Sequence, residues 1–96
     1  MDTELFAITD YCSVHQIDAA FIESLEKEGL ILVVNKDENK YVEEEQLHML
    51  EIFTRWHMEM GINTQGIDAM HHLVARLKAV HYELDRLKTR LRFYEE

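Results

Sequence analysis

The chain has no proline, one cysteine, one tryptophan and three glycines in 96 residues. With glycine confined to Gly29, Gly61 and Gly66, no flexible or polyproline linker is available to hold two domains apart. The lone Cys12 cannot close an intrachain disulfide, which agrees with a reducing, cytoplasmic setting. The longest purely apolar run, Leu30–Val34, is too short to span a bilayer, so no membrane segment is expected. The opening Met-Asp-Thr-Glu is acidic where a secretory leader would be cationic. Basic residues are scarce as well, ten Lys and Arg against nineteen Asp and Glu, for a net charge of −9.

That charge is unevenly placed. Residues 1–66 hold fourteen acids against Lys27, Lys36, Lys40 and Arg55, a net −10, whereas residues 67–96 hold five acids against six bases, a net +1. The division expected is an acidic head over 1–66 and a long, nearly neutral helix over 67–96. Such a head is steered toward basic partners and away from nucleic acid or anionic lipid. A chain this short is marginal unless something adds buried surface.

Local signals punctuate the head. Leu5–Ile8 reads as a short strand or extended arm, and Thr9 as the N-cap of a helix over Asp10–His15 with Tyr11, Cys12 and Val14 inward. Asp18 caps a second helix whose inner face is Phe21, Ile22 and Leu25, and Gly29 supplies a left-handed stop. The run Leu30–Val34 reads as a strand, Asn35-Lys-Asp-Glu-Asn39 as a turn, and Lys40-Tyr41-Val42 as the returning strand of a small hairpin wing. A third helix follows from about Glu43 to Met60, with Glu43, Glu44 and Glu45 at its positive N-terminus. Leu47, Leu50, Phe53 and Trp56 form its inward stripe, Gly61 ends it, and Asn63 is a candidate cap for the last helix.

Two short helices and a wing make a winged helix-turn-helix. The second helix, where such a fold reads DNA, offers Asp18, Glu23, Glu26 and Glu28 against Lys27 alone. Duplex binding needs cations for phosphates and Arg, Lys, Asn or Gln for base edges. An anionic helix repels an anionic duplex, so the expected partner is a protein and no nucleic acid is expected. Glu43–Glu45 have a plainer reading as a solvated helix start.

The last helix carries the strongest periodicity in the chain. Met70, Leu73, Leu77, Val80, Leu84, Leu87, Leu91 and Tyr94 recur in steps of three and four, which places Met70, Leu77, Leu84 and Leu91 at a and the others at d. The expectation is self-association through a two-stranded coiled coil; the alternative is a stripe folded back on its own head. A parallel pair would set Glu83 near Lys88 and Arg90 near Glu95, while an antiparallel one could set Glu83 against Arg90, so orientation stays open.

No catalytic or metal pattern emerges. There is no phosphate-cradling glycine loop, no HExxH and no nucleophile elbow, so an enzyme is the least expected class. Cys12-x-x-His15 is the sole Cys/His pair at ligand-like spacing, and His48, His57, His71, His72 and His81 supply no second pair. No metal, cofactor or small-molecule ligand is expected.

Ile8-Thr-Asp-Tyr-Cys12, Glu28-Gly-Leu-Ile31, Tyr41-Val-Glu-Glu-Glu45 and Met60-Gly-Ile-Asn-Thr-Gln-Gly-Ile67 occur in the order and spacing of a known group. From about Leu5 to Arg92 the chain resembles MerR-like winged-helix proteins, and within them the chaperone-modulator proteins of the CbpM type. The resemblance implies a mainly α fold: a winged helix-turn-helix with a small β-hairpin wing and a long C-terminal coiled-coil helix. It also implies a non-enzymatic modulator that binds the J-domain of a DnaJ- or CbpA-like co-chaperone and restrains its action on a DnaK-type chaperone. Glu23, Glu26, Glu43, Glu44 and Glu45 are the partner-binding candidates on this reading. DNA-binding members of the group carry arginine and tyrosine in the second helix and a Gly-Tyr-Arg-type wing. Here Ala20 and Glu23 stand at the arginine positions, Ser24 and Leu25 at the tyrosine positions, and the wing reads Asn39-Lys40-Tyr41. The chain also carries neither a cysteine metal loop nor a ligand domain after the long helix. A divergent DNA-binding regulator and a coiled-coil oligomerisation adaptor are the alternatives.

Overall fold

A computed structural model describes residues 4–95. The chain runs β1 (Leu5–Ala7), α1 (Ile8–His15), α2 (Ala19–Lys27), β2 (Val34–Lys36), β3 (Asn39–Glu43), α3 (Glu44–Met60) and α4 (Thr64–Tyr94). It is mainly helical, and its small antiparallel sheet has the strand order β1-β3-β2. The architecture is a winged helix-turn-helix with a long C-terminal helix.

Most boundaries follow from local chemistry. The Asp18 carboxylate accepts the Ala20 N–H at 3.3 Å and starts α2. At the other end Gly29 lies at φ +74°. The Gly29 N–H donates to the Glu26 carbonyl and the Leu30 N–H to the Leu25 carbonyl, the paired bonds of a Schellman stop. Gly61, at φ +65°, closes α3, and the Asn63 side chain accepts the Gly66 N–H at 2.8 Å to start α4.

Three local expectations are corrected. Thr9 does not cap α1: the helix begins at Ile8, and its N-cap Ala7 makes no side-chain cap bond. Ala7 is held extended by pairing with Tyr41, so the sheet sets the start of the helix. Val14 points outward, 77% exposed, because the buried stripe of α1 runs through Ile8, Tyr11 and Cys12 and Val14 falls beyond its edge. The run Leu30–Val34 is strand only at its last residue. Val34, Asn35 and Lys36 pair with Tyr41, Lys40 and Asn39, closed by a two-residue turn with Asp37 at φ 52° and Glu38 at φ 65°. Upstream, Ile31 enters the core, while Leu32 turns to solvent and gives its N–H to the Gln46 side chain at 3.2 Å.

The strand or arm read at Leu5–Ile8 is strand β1, which adds a third strand to the two of the wing. Leu5, Phe6 and Ala7 pair with Glu43, Val42 and Tyr41, and the Glu44 N–H reaches the Glu4 carbonyl at 3.0 Å. Central β3 thereby ties β1 to the start of α3.

The core gathers Phe21, Ile22 and Leu25 of α2, Leu50 and Phe53 of α3, Val42 of β3 and Ile67 of α4. Leu47 and Trp56, expected inward on α3, are partly buried at its margin. The buried polar residue Thr54 is satisfied: its hydroxyl donates to the Leu50 carbonyl at 2.8 Å, so the Tyr11 hydroxyl donates to Thr54 Oγ1, also at 2.8 Å. Burial is the main cause that raises the Tyr11 phenol above its ordinary value of 10.0; the bond to Thr54 opposes this and the nearby Glu51 charge adds to it.

Candidate partner-binding surface

Helix α2 sets the site because it is amphipathic. Phe21, Ile22 and Leu25 take one side into the core, which turns Glu23, Lys27 and Glu28 outward and leaves Glu26 half-buried at the edge. The hairpin β2–β3 stands beside this edge, and the Lys40 amine lies 3.7 Å from a Glu26 carboxylate oxygen. Between them opens a cleft of about 480 Å³. Its floor includes the buried Ile8 and Ile22 with Ala19 and the half-buried Tyr41; its rim includes Glu23, Glu26 and Glu38. Three carboxylates therefore share the cleft with one amine, which Glu26 alone meets, over an apolar base.

The five acids singled out in the sequence fall into two groups. Glu23 and Glu26 share the cleft. Glu43 ends β3 half-buried, and Glu44 and Glu45 are exposed in the first turn of α3; none of the three lines the cleft. Sequence reasoning missed Glu38 and Tyr41, which reach the cleft only because the hairpin folds toward α2. The available signal was the turn cluster after Val34, which places Glu38 at the tip of a wing.

A second groove of about 300 Å³ lies between β1, α1 and α3. Phe6, Val14 and Leu47 supply its apolar lining, with Asp10 and Glu51 beside them. Tyr11 and His15 stack at its edge with ring centroids 4.2 Å apart.

Besides His15, three of the six histidines have defined neighbours. His57 stacks on Phe21 at 4.2 Å, with Nδ1 2.9 Å from the Ile62 carbonyl. His71 meets Phe53 edge-on at 5.4 Å, and His72 bonds back to the Asp68 carbonyl of its own helix. Among the described residues, no three His, Cys, Asp or Glu side chains are grouped as metal ligands. Burial raises the Cys12 thiol above its ordinary 9.0, and the Asp18 charge adds to the shift. No helix of the described residues is long and apolar enough to cross a membrane.

Helix α4 leaves the head as a single rod of 31 residues, about 46 Å long. Ile67 in its first turn is buried in the head, and Met70 is half-buried. The stripe does not fold back: Leu73, Leu77, Val80, Leu84, Leu87, Leu91 and Tyr94 expose between 45 and 80% of their surface. Glu83, one of the charges flanking the stripe, meets Arg86 of its own helix at 3.3 Å.

A family model described as MerR HTH family regulatory protein matches residues 6–89. No curated protein and no solved structure matches the chain. The match spans the sheet, all three head helices and most of α4, and the chain belongs to the MerR helix-turn-helix family of regulatory proteins.

Proposed function

We propose that this MerR-family protein is a non-enzymatic, cytoplasmic modulator of the CbpM type. It binds the J-domain of a DnaJ- or CbpA-like co-chaperone and restrains that domain's action on a DnaK-type chaperone. The observation that carries the reading is the reversed charge of α2. The helix of this fold that would face a duplex presents Glu23 and Glu28 to solvent with Glu26 half-buried at its edge, and Lys40 of the adjacent wing is drawn to Glu26. J-domains present a basic helix to their chaperone, so an acidic head is suited to cover that helix in competition. Complementary charge supplies association rate and selectivity, while a few apolar contacts supply most of the affinity.

The exposed stripe of α4 completes the proposal. A row of seven large side chains on a solvent-borne helix has heptad spacing, and a second copy of the same helix fits it through knobs-into-holes packing. The functional unit is accordingly a homodimer, with the long helix over 67–96 as its dimerisation element.

Family membership supports a second reading, duplex binding through Lys27, Lys36, Lys40 and Arg55. The first is preferred because these four cations share a head of net charge −10. The test is a steady-state measurement of J-domain-stimulated ATP hydrolysis by a DnaK-type chaperone. Added protein should suppress the stimulation and leave basal hydrolysis unchanged. Undiminished stimulation with the J-domain at limiting concentration would reject the proposal.

A further inference from the structure

The cleft between α2 and the wing holds a cation of its own. Lys40 reaches Glu26 at 3.7 Å with both side chains exposed to water by a third or more, a geometry in which an ion pair is weak and readily exchanged. With Lys40 paired, Glu23 and Glu38 still give the rim a negative excess. Beneath that rim lie Ile8, Ile22 and Tyr41. An apolar floor under carboxylates matches the anatomy of a lysine or arginine side chain, whose stem is hydrocarbon and whose tip is charged.

We infer that Lys40 is a placeholder. The cleft takes a lysine or arginine projecting from an amphipathic basic helix of a protein partner. That side chain passes over Ile8 and Tyr41, displaces Lys40 from Glu26, and takes Glu23 and Glu26 as counter-charges. An incoming guanidinium can engage a carboxylate through two parallel N–H bonds, which a single lysine amine cannot do, so the exchange favours arginine. The inference rests on the protein-binding reading above and does not require the partner to be a J-domain.

The sign of the Lys40 effect separates this from its rivals. A phosphate-bearing ligand would use Lys40 as a contact, and its loss would weaken binding; a basic helix competes with Lys40, and its loss strengthens binding. The experiment titrates the full chain with a synthetic amphipathic helical peptide bearing leucine and arginine on one face, read by fluorescence anisotropy and backbone amide shifts. Lys40→Gln should tighten binding about two- to five-fold, a gain of the size of a partly exposed ion pair that fades with added salt. Glu26→Gln should weaken it, and amide shifts should centre on Ala7, Thr9, Ala19 and Tyr41. Weaker or unchanged binding by Lys40→Gln, shifts centred on Val14 and Leu47 in the second groove, or no peptide binding at all would overturn the inference. A purified J-domain as a second analyte keeps the two claims apart. A peptide that obeys the cleft while the J-domain fails to bind refutes the proposed function alone, and J-domain binding indifferent to Lys40 and Glu26 refutes the cleft alone.

Discussion

Replacing Leu84 with Asp tests whether the α4 stripe is an intermolecular seam. Leu84 is central in the stripe and 45% exposed, the most covered of its fully helical a and d residues beyond Met70. Fully burying a leucine contributes about 1.5–3 kcal/mol, so closing a two-stranded seam over a half-covered one contributes roughly 1 kcal/mol from each copy. Aspartate forfeits that contribution and brings a carboxylate that must be desolvated or protonated, which costs more per copy than the about 1–3 kcal/mol of a buried neutral polar group. Two copies then lose at least ~4 kcal/mol, about a thousandfold in the dissociation constant. Sedimentation equilibrium of wild type and Leu84→Asp over a range of concentrations measures this directly. Tyr82→Asp is the control, because Tyr82 lies on the same helix at an f position outside the seam, already 67% exposed. Wild type should be dimeric at tens of micromolar, Leu84→Asp monomeric, and Tyr82→Asp dimeric. A wild type already monomeric at that concentration, or a Leu84→Asp variant that still dimerises, would refute the seam.

Three further outcomes follow from the head. In gel-shift assays at physiological salt the protein should show no duplex affinity above weak background, and submicromolar binding that falls steeply with salt would restore the DNA-binding reading. Thr54→Val should cost about 1–3 kcal/mol in denaturant unfolding, because the buried Tyr11 hydroxyl loses its acceptor, and an unchanged midpoint would show that the bond carries no weight. The raised Tyr11 phenol sets an alkaline limit. Its folded value lies above the ordinary 10.0, so the stability it contributes is intact below pH 10 and is lost as pH rises through the folded value. Tyr11→Phe should flatten that alkaline decline in urea melts, and an identical decline would assign it to another group.

What the sequence disclosed was mostly what local chemistry decides. Asp18, Gly29, Gly61 and Asn63 mark helix ends through bonds that close within five residues, so a linear reading finds them. The heptad stripe is visible because its period is a property of one helix. Features set by pairing across the chain were harder. Thr9 looks like a cap until Ala7 is seen paired with Tyr41, and Leu30–Val34 looks like a strand until the Asp37–Glu38 turn fixes the register from Val34 onward. The same limit applies to the candidate site. Glu23 and Glu26 could be placed on the outer side of α2 by helical spacing alone. That Lys40 and Glu38 share a cleft with them depends on the hairpin leaning toward α2, a tertiary fact with no sequence period to announce it.

The central claim is that an acidic head captures a basic J-domain helix. Surface-plasmon kinetics of wild type and the Glu23→Lys, Glu26→Lys double variant against a purified J-domain, at two salt concentrations, test it most directly. The account predicts saturable binding by wild type, with an association rate that falls as salt rises. It predicts a slower association for the double variant, with circular dichroism unchanged because Glu23 is exposed and Glu26 sits outside the core. No wild-type binding at tens of micromolar, the range of a weak specific contact, would contradict the account. So would association rates indifferent to both salt and charge reversal.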